Sequence, residues 1–429
     1  MSIWNRILFF VIIFGAIFGL QFLVYRTFRN FLISKFKNSR IVKSFSLYPF
    51  ILFNLPYLYI IFNRFSSNNI PEWIYNFAFK PFYVFQGATI FIGLYLLIGK
   101  ILKSPFSLTG WLLSKFNNTK TFLDKLRSKP EVKTINKSRR VFIKSSAALV
   151  SGYAFTGATL GVLSSENYEI VYKEIKIPDL PVELKGVTIT LICDIHSGPY
   201  MKEDLMNEYV QVINDLKSDF ILMPGDLTNS VKTEVIPFAN AFKNLKASKG
   251  IYASLGNHDY FSDPNFIAKI ISEETPIKLL RNDLEIININ GKDLCILGVE
   301  DTRQSGSAID NVVMGYLNMT VEKLKEKLAL KNLNYESTPK VALFHKPYFF
   351  EQMKDKQLDL ILSGHTHGGQ VVLAKLGNIN LSFAGAVSKY ISGIYENEVS
   401  KMYISRGIGS VALPIRFNCP PEITKITLV

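Results

Sequence analysis

The distribution of apolar residues divides the chain into two parts. Its first third contains long runs without charge, whereas the part after Glu166 contains short apolar runs that alternate with polar and amphipathic segments. A run of about 20 apolar residues can cross a bilayer as a helix. Short runs that alternate with helical patterns are typical of an α/β domain. The pattern therefore predicts a helical membrane region followed by a globular α/β domain.

Three apolar runs in residues 1–99 are predicted to span the membrane. Residues 7–25 carry no charge and only one strongly polar side chain, Gln21. This run is too long for the core of a signal peptide, and no small-residue cleavage site follows it. Residues 45–62 are a weaker candidate because two prolines interrupt them, although spanning helices tolerate proline. Residues 82–98 form a third, clearer span.

Residues 100–140 are predicted to be a basic cytoplasmic linker. They contain eleven Lys or Arg residues against two acidic ones. Basic segments next to membrane spans contact anionic headgroups. Nucleic acid is not expected as a partner, because the basic residues lie between apolar runs. Residues 141–163 are predicted to be a fourth span. Because residues 138–144 resemble a twin-arginine signal, an internal export signal is the alternative.

The orientation of the membrane region follows from its basic residues. Six basic residues lie between the first two spans and eleven in the linker, whereas the loop between spans two and three offers only Arg64 and Lys80. The positive-inside rule places both strongly basic loops in the cytoplasm. With four spans, residues 165–429 lie outside the cytoplasm; with three, they lie inside.

Residues 165–429 are predicted to alternate between strands and helices. Strands are predicted at 187–192, 220–223, 251–254, 284–289, 294–299, 341–344, 358–362, 379–384 and 401–405. Helices are predicted at 202–216, 235–246 and 321–328. This order favours layered α/β architecture.

Polar residues with metal-binding side chains follow several of these strands. The chain has only five histidines, and all five lie in such positions. A pair of histidines in an HxH pattern would be weak support by itself, but open α/β sheets gather functional groups at strand ends. The candidate residues are Asp194, His196, Asp226, Asn257, His258, Asp259, His345, His365 and His367.

These candidates form a mixed nitrogen and oxygen donor set without a thiolate. Such a set suits Mn, Fe, Zn, Co or Ni. The donors are too many for one ion, and an aspartate can bridge two ions held about 3.5–4 Å apart, an arrangement that favours phosphoester chemistry. The cysteines, Cys193, Cys295 and Cys419, are too few for a disulfide framework. Alternation points Cys193 into the sheet, away from a ligand role.

The ordered series DIH, GD, GNHD, a separate His and GHTHGG covers Val187 to about Gln370 and resembles the calcineurin-like metallophosphoesterase superfamily. The segments GHTHGGQ, VALFHKP and ALPIRFNCPPEI resemble its membrane-associated bacterial branch, which is similar to UDP-2,3-diacylglucosamine hydrolases and twin-arginine-exported phosphoesterases. The resemblance implies a four-layer sandwich of two mixed β-sheets flanked by helices, preceded by the all-α membrane region.

The resemblance also implies roles for the candidate residues. One divalent metal would be held by Asp194, His196, Asp226 and His367. The second would be held by Asn257, His345 and His365, with Asp226 as the bridge. His258 would be catalytic, protonating the leaving group or stabilising phosphoryl oxygens. Either Asp259 or a backbone carbonyl would hold His258, and Asp259 could alternatively only stabilise the loop.

At three positions the sequence differs from other groups of the superfamily. Asn229 stands where purple acid phosphatases carry a tyrosine ligand, and Ser230 stands where Ser/Thr protein phosphatases carry a phosphate-binding arginine. Asp259 replaces the glutamate of those protein phosphatases. Both groups are therefore disfavoured.

The sequence predicts a membrane-anchored, dinuclear metal phosphoesterase that cleaves a phosphodiester or pyrophosphate by direct attack of a metal-bridging hydroxide. The expected partners are the lipid bilayer and a lipid-linked substrate, either a phospholipid or a UDP-2,3-diacylglucosamine-type diphosphate of lipid A assembly. The second needs a cytosolic nucleotide, which conflicts with the location predicted for the catalytic domain, outside the cytoplasm at the bacterial inner membrane.

Two other classes of function agree less well with the sequence. A non-catalytic membrane scaffold with structural metals is the alternative, but His258 would contribute nothing to a purely structural site. A zinc metalloprotease is excluded because no HExxH motif is present.

Overall fold

The computed structural model of the protein describes residues 3–36, 40–63, 70–302, 307–376 and 379–429. The chain forms two compact units, Met1–Val162 and Leu163–Val429. In the described residues the first unit is helical, and the second contains all the strands.

The helices of the first unit include four segments long and apolar enough to cross a membrane, Val11–Lys35, Arg40–Ile60, Glu72–Leu113 and Pro130–Leu163. They overlap the four predicted spans. The helices are α1 (Ile3–Lys35), α2 (Arg40–Leu52), α3 (Leu55–Asn63), α4 (Glu72–Ile74), α5 (Lys80–Leu113), α6 (Asn117–Ser128) and α7 (Pro130–Leu163). The span boundaries and the linker at 100–140 stay predictions, and Lys37 and Arg64 of the charge count lie outside the described residues.

Three amide side chains, two buried and one half-buried, form a hydrogen-bonded network in the first unit. Gln21 of α1 donates to Gln86 of α5 at 2.7 Å, Asn54 donates to Gln21 at 2.8 Å, and Gln86 donates to Asn54 at 2.9 Å. In hydrocarbon an unpaired amide is costly, so the closed network satisfies these groups. Gly93 allows α1 and α5 to approach closely, since a Cβ there would lie 2.7 Å from the Cβ of Leu20.

The second unit is built from two six-stranded sheets and a separate hairpin. The strands are β1 (Glu169–Ile175), β2 (Thr188–Leu191), β3 (Phe220–Pro224), β4 (Gly250–Ser254), β5 (Lys278–Leu279), β6 (Asp283–Ile289), β7 (Lys292–Val299), β8 (Lys340–Phe344), β9 (Leu360–Ser363), β10 (Ala374–Leu376), β11 (Ile379–Leu381), β12 (Gly393–Glu396), β13 (Lys401–Ile404) and β14 (Glu422–Leu428). The helices are α8 (Glu203–Asp215), α9 (Val235–Phe242), α10 (Pro264–Glu274) and α11 (Ser307–Leu330).

Both large sheets are mixed. The first has the order β1-β14-β2-β3-β4-β5, and the second has the order β12-β13-β9-β8-β7-β6. Strands β2, β3 and β4 are parallel, as are β7, β8 and β9, whereas β14 is antiparallel to β2 and β6 is antiparallel to β7. The parallel strands in the middle of each sheet therefore end on one edge, where the loops that follow them meet.

The sheets pack face to face, and helices cover their outer faces. One buried cluster joins the inner faces through residues such as Leu222 of β3 and Leu343 of β8. A second cluster packs α8, α9 and α10 on the first sheet, and a third packs α11 on the second. This helix, sheet, sheet, helix order confirms the predicted four-layer fold.

The structure also differs from the predicted elements. The strand predicted at 379–384 ends at Leu381, because a hydrogen-bonded turn begins at Ala384. Strands β1 and β14 were not predicted. They pair in parallel although most of the unit's sequence separates them. The helix predicted at 321–328 is the end of the longer α11.

Candidate metal centre

The seven predicted ligands all lie in loops that leave parallel strands. Asp194 and His196 follow β2, Asp226 follows β3 and Asn257 follows β4 in the first sheet; His345 follows β8, and His365 and His367 follow β9 in the second. Five of them, Asp194, His196, Asp226, His365 and His367, have φ between 50° and 70°. This left-handed backbone is unfavourable for side chains with a Cβ, and it concentrates at functional sites.

Two glycines allow the loops to come together. A Cβ at Gly256 would lie 2.2 Å from Oδ1 of Asp226, and one at Gly364 would lie 2.3 Å from Oδ2 of Asp194. Both distances are far below a van der Waals contact, so only glycine fits beside each carboxylate.

Four groups of close donor atoms occur in the described residues, one of them formed by His196, Asp226 and His258, and two of the four match the predicted ligand sets. One consists of Asp194, His196 and His367, and the other consists of Asp226, His345 and His365; within each group the donor atoms lie within 4.8 Å of one another. In the first group, Nε2 of His196 lies 3.0 Å from Nε2 of His367. In the second, Nε2 of His345 lies 3.1 Å from Oδ2 of Asp226.

Asp226 lies between the two groups. Its Oδ2 is 3.1 Å from His345 and 3.6 Å from Nε2 of His196. One carboxylate oxygen is thus close to a nitrogen of each group. This position agrees with the predicted bridging role of Asp226, which stays a prediction.

The residues present fit a pair of divalent cations. Oδ1 of Asn257 is buried and has no hydrogen-bond partner among the described residues, and Nε2 of His345 faces Oδ2 of Asp226 at 3.1 Å. Nδ1 of His345 lies 2.8 Å from the carbonyl of Pro224, which makes Nδ1 the donor and leaves Nε2 as a ligand atom. Buried acceptors without a donor are costly, and a cation satisfies them.

The protonation of three histidines suits metal binding. Burial lowers the pKa of His196 to about 3, although the nearby Asp226 carboxylate raises it in part. Burial also holds the pKa of His365 and that of His367 well below the usual range. These imidazoles are therefore neutral near pH 7, the form that binds a metal.

The pKa values of His345 and Asp226 show that the site stabilises positive charge. Burial alone would lower the pKa of His345, but Asp226 and then Asp194 raise it to about 10. Burial alone would raise the pKa of Asp226, but His345 and then His196 hold it well below its usual range. The Asp226 carboxylate therefore stays ionised, and a divalent metal can take the place of the proton on Nε2 of His345.

His258 lies beside the donor groups but on their more exposed side. Its ring centroid is 4.5 Å from that of His196, and its backbone N–H donates to Oδ1 of Asp226 at 2.8 Å. Nδ1 lies 2.5 Å from the carbonyl of Asn229. Because a carbonyl only accepts, Nδ1 carries the proton, and Nε2 is free to exchange a proton with a substrate. Of the two predicted partners of His258, the structure has the backbone carbonyl.

Asp259, the other predicted partner of His258, accepts hydrogen bonds from the loops around the site. It is fully buried and accepts hydrogen bonds from the backbone N–H groups of Leu227, Thr228 and Gly256 at 3.2, 2.8 and 2.9 Å, and from the Thr228 hydroxyl at 3.0 Å. These donors belong to the loops that carry Asp226 and Asn257. Asp259 therefore holds two ligand loops at a fixed separation.

Cys193 adjoins the centre without the properties of a ligand. Its Sγ, Asp194 and His345 lie close enough to form a donor group. Burial and the adjacent Asp194 carboxylate raise the pKa of the Cys193 thiol well above its usual range. A protonated thiol is a poor ligand, which agrees with the sequence interpretation.

Arg416 was not singled out from the sequence, although it lies in the quoted segment ALPIRFNCPPEI. Its guanidinium is buried, with Nη2 at 3.3 Å from Nδ1 of His367. Nε donates to the carbonyl of Gly409 and Nη1 to that of Arg406, each at 3.0 Å. One arginine in an apolar stretch was the available signal. Arg416 thus joins the loop after β13 to the far side of the His367 ring.

Replacing Arg416 by methionine should destabilise the unit by roughly 2–4 kcal/mol, because two buried carbonyls lose their charged donor. It should also lower the metal content, since the His367 ring loses its support. Thermal melting of the detergent-purified full chain and elemental analysis measure the two effects. Arg406→Met is the control, because the Arg406 carbonyl remains and its side chain pairs with Glu422 instead. Equal metal loss in both variants would contradict a specific role for Arg416.

Lys346 is a second missed residue, directly after His345. Its Nζ lies 2.8 Å from Oδ1 of Asp301, and both side chains are buried. Burial raises the pKa of Asp301, while His345 and Lys346 lower it in part. This ion pair lies next to the second donor group and fixes the segment that follows β8.

The four-layer fold, the two adjacent donor groups and the histidine beside them are the features of a metallophosphoesterase. Residues 187–369 match the family model for calcineurin-like phosphoesterases. A metallophosphoesterase of Helicobacter pylori, whose function is uncharacterised, is 30% identical over 305 residues, which cover 68% of this chain and 73% of that protein. The chain therefore belongs to the calcineurin-like metallophosphoesterase family, whose members use a dinuclear divalent metal centre.

Two further comparisons concern the membrane and the fold. A Danio rerio protein named as a transmembrane protein with metallophosphoesterase domain is 27% identical over 271 residues, covering 61% of this chain and 57% of that protein. The four apolar helices of this chain are themselves long and apolar enough to cross a membrane. A solved dimetal phosphatase of Danio rerio is 10% identical, with a TM-score of 0.33, and covers 52% of this chain and 88% of that one.

Proposed function

We propose that the protein is a membrane-anchored hydrolase that cleaves a phosphodiester or pyrophosphate bond in a lipid-linked substrate. The observation that carries this proposal is the position of Asp226 between two donor groups, with the half-buried His258 beside them. When bound, two divalent cations supply a water nucleophile at neutral pH and neutralise the phosphoryl oxygens. A purely structural metal site would not need His258.

The residues of the chain then have distinct tasks. Asp194, His196 and His367 would hold one cation, Asn257, His345 and His365 the other, and Asp226 both. In its imidazolium form, with a proton on each ring nitrogen, His258 would donate the Nε2 proton to the leaving oxygen as the bond from phosphorus to that oxygen breaks. The water oxygen would form the new bond to phosphorus, the water would release one proton to solvent, and Nε2 would regain a proton from solvent for the next turnover. The Asn229 carbonyl keeps the ring of His258 oriented during this transfer. Asp259 keeps the loops of Asp226 and Asn257 at a fixed separation.

The reaction class can be tested with the full chain purified in detergent. We expect faster hydrolysis of bis-p-nitrophenyl phosphate than of p-nitrophenyl phosphate, loss of activity with EDTA, and recovery when Mn²⁺, Fe²⁺ or Zn²⁺ is restored. Retained metal without hydrolysis of either compound would support the scaffold alternative instead.

The lipid-linked substrate is supported by the apolar helices that tether this unit to a bilayer. A phospholipid is the expected substrate if the unit lies outside the cytoplasm. A UDP-diacylglucosamine-type diphosphate becomes the leading candidate if the unit faces the cytosol, because the nucleotide is found there.

The side of the membrane can be measured with fusions. If residues 141–163 span the bilayer, the strongly basic loops lie in the cytoplasm and the C-terminus lies outside. Lys144, near the start of this span, can extend to the cytoplasmic headgroups. A C-terminal alkaline phosphatase fusion should then be active and a green fluorescent protein fusion dark. Fusions after Lys120 should behave in the opposite way, and a fluorescent C-terminal fusion would place the unit in the cytosol.

A further inference from the structure

A short apolar segment lies exposed beside the candidate metal centre. The exposed fractions are 44% for Leu381, 66% for Phe383 and 79% for Val387. Single exposed apolar residues are ordinary on protein surfaces, but several close together mark binding sites for apolar ligands or surfaces. We call residues 381–387 the apolar turn.

The apolar turn is attached to the loop that carries His367. Nδ2 of Asn380, directly before the turn, lies 3.3 Å from the carbonyl of Gly368. Ser382 approaches the next glycine so closely that a Cβ on Gly369 would lie 2.3 Å from Oγ of Ser382. The segment therefore lies against the GHTHGG loop of the metal centre.

The backbone of the apolar turn is held in one conformation. Oγ of Ser382 accepts from the N–H of Gly385 at 3.0 Å, and the N–H of Ser388 donates to the carbonyl of Ala384 at 3.0 Å. Gly385 packs against the strand before it, since a Cβ there would lie 2.0 Å from the carbonyl oxygen of Asn380. The backbone that carries Phe383 and Val387 is therefore held by hydrogen bonds within the turn.

Charged residues flank this apolar surface. Lys375 is exposed on β10, where it pairs in register with Asn380. The Lys389 side chain is 69% exposed just after the turn and forms an ion pair with Glu351 at 3.2 Å. Apolar side chains next to lysines complement a lipid, whose hydrocarbon adjoins a phosphate. The tether to a bilayer supplies such molecules, so a lipid fits this surface better than a second protein.

We propose that the apolar turn binds an acyl chain of the substrate while the phosphate lies at the metal centre. This inference rests on the proposed function and names the part of the substrate that the site recognises outside the reacting bond. A Phe side chain removed from water contributes enough free energy for a roughly 10- to 100-fold preference. The enzyme should therefore prefer long acyl chains over short ones at the same phosphodiester.

The test uses the full chain in detergent and two p-nitrophenyl esters of phosphatidic acid, one with oleoyl and one with butyryl chains. Their scissile bond and leaving group are identical, so only the acyl contact differs. The double variant Phe383→Ser, Val387→Ser should lose roughly 10- to 100-fold in kcat/KM for the oleoyl ester and keep its rate on the butyryl ester. The matched control is Leu330→Ser, which removes an 86% exposed leucine at the end of α11 and should change neither rate.

The other outcomes separate the two proposals. Equal losses on both esters, or no loss on either, would overturn the acyl contact while leaving the phosphoesterase activity intact. A change in the oligomeric state of the double variant, with equal losses, would assign the turn to self-association and also overturn it. If the wild type cleaves neither ester nor bis-p-nitrophenyl phosphate, the proposed function fails, and the acyl contact fails with it.

Discussion

Replacing Asp226 by asparagine is expected to remove both metal ions and with them the hydrolytic activity. Oδ2 of Asp226 lies 3.1 Å from His345 and 3.6 Å from His196, and we therefore expect one carboxylate to bind both ions. The amide of asparagine is neutral and offers a single oxygen, so neither group keeps its shared negative charge. The metal content of the detergent-purified full chain, measured by elemental analysis, should fall from two equivalents to less than one. The rate on bis-p-nitrophenyl phosphate should fall roughly 10³-fold or more, as when an electrostatic stabiliser is removed.

The matched control for this variant is Asn257→Ala. Asn257 follows Gly256, which lies against Asp226, but Asn257 is predicted to bind only one ion, so its loss should chiefly deplete that ion. Circular dichroism should show that both variants are folded. Two equivalents of metal remaining in Asp226→Asn would rule out the bridging assignment, even if the activity were lost.

The clustering of the ligands could be predicted because the responsible pattern is local. Asp194, Asp226 and His345 each follow a short apolar strand, and parallel neighbouring strands place their ends on one edge of a sheet. Which loops of the two sheets then face each other depends on the packing of the sheets, and the family resemblance supplied that part. The assignment of each ligand to one ion stays a prediction.

Features that depend on distant backbone could not be predicted from local patterns. Arg416 reaches His367 only because the chain after β13 returns to the centre, and its partners are backbone carbonyls, which carry no sequence signal. Asp259 likewise binds backbone N–H groups of another loop. The strand predicted at 379–384 includes the first residues of the apolar turn, but the structure ends this strand at Leu381. The backbone N–H of Gly385 donates to the Ser382 hydroxyl, a contact that a pattern of apolar residues does not reveal.

Replacing His258 by alanine is expected to leave both metals bound and to reduce activity by roughly 10²–10⁴-fold, the usual contribution of a general acid. Nε2 is the nitrogen available to a leaving oxygen, because Nδ1 is occupied by the Asn229 carbonyl at 2.5 Å. Metal content, measured on the same preparation, separates this loss from the loss in Asp226→Asn. A depleted metal content in His258→Ala would make His258 a ligand and not an acid.

The His258→Asn variant distinguishes proton donation from positioning. Asparagine can still donate to the Asn229 carbonyl but has no second nitrogen in place of Nε2. If His258 is the acid, asparagine should be as inactive as alanine, and both losses should be smaller for diesters that release nitrophenolate than for those that release an alkoxide, because nitrophenolate departs without a proton. Rescue by asparagine, or equal losses for both leaving groups, would show instead that His258 acts by holding its loop beside Asp226.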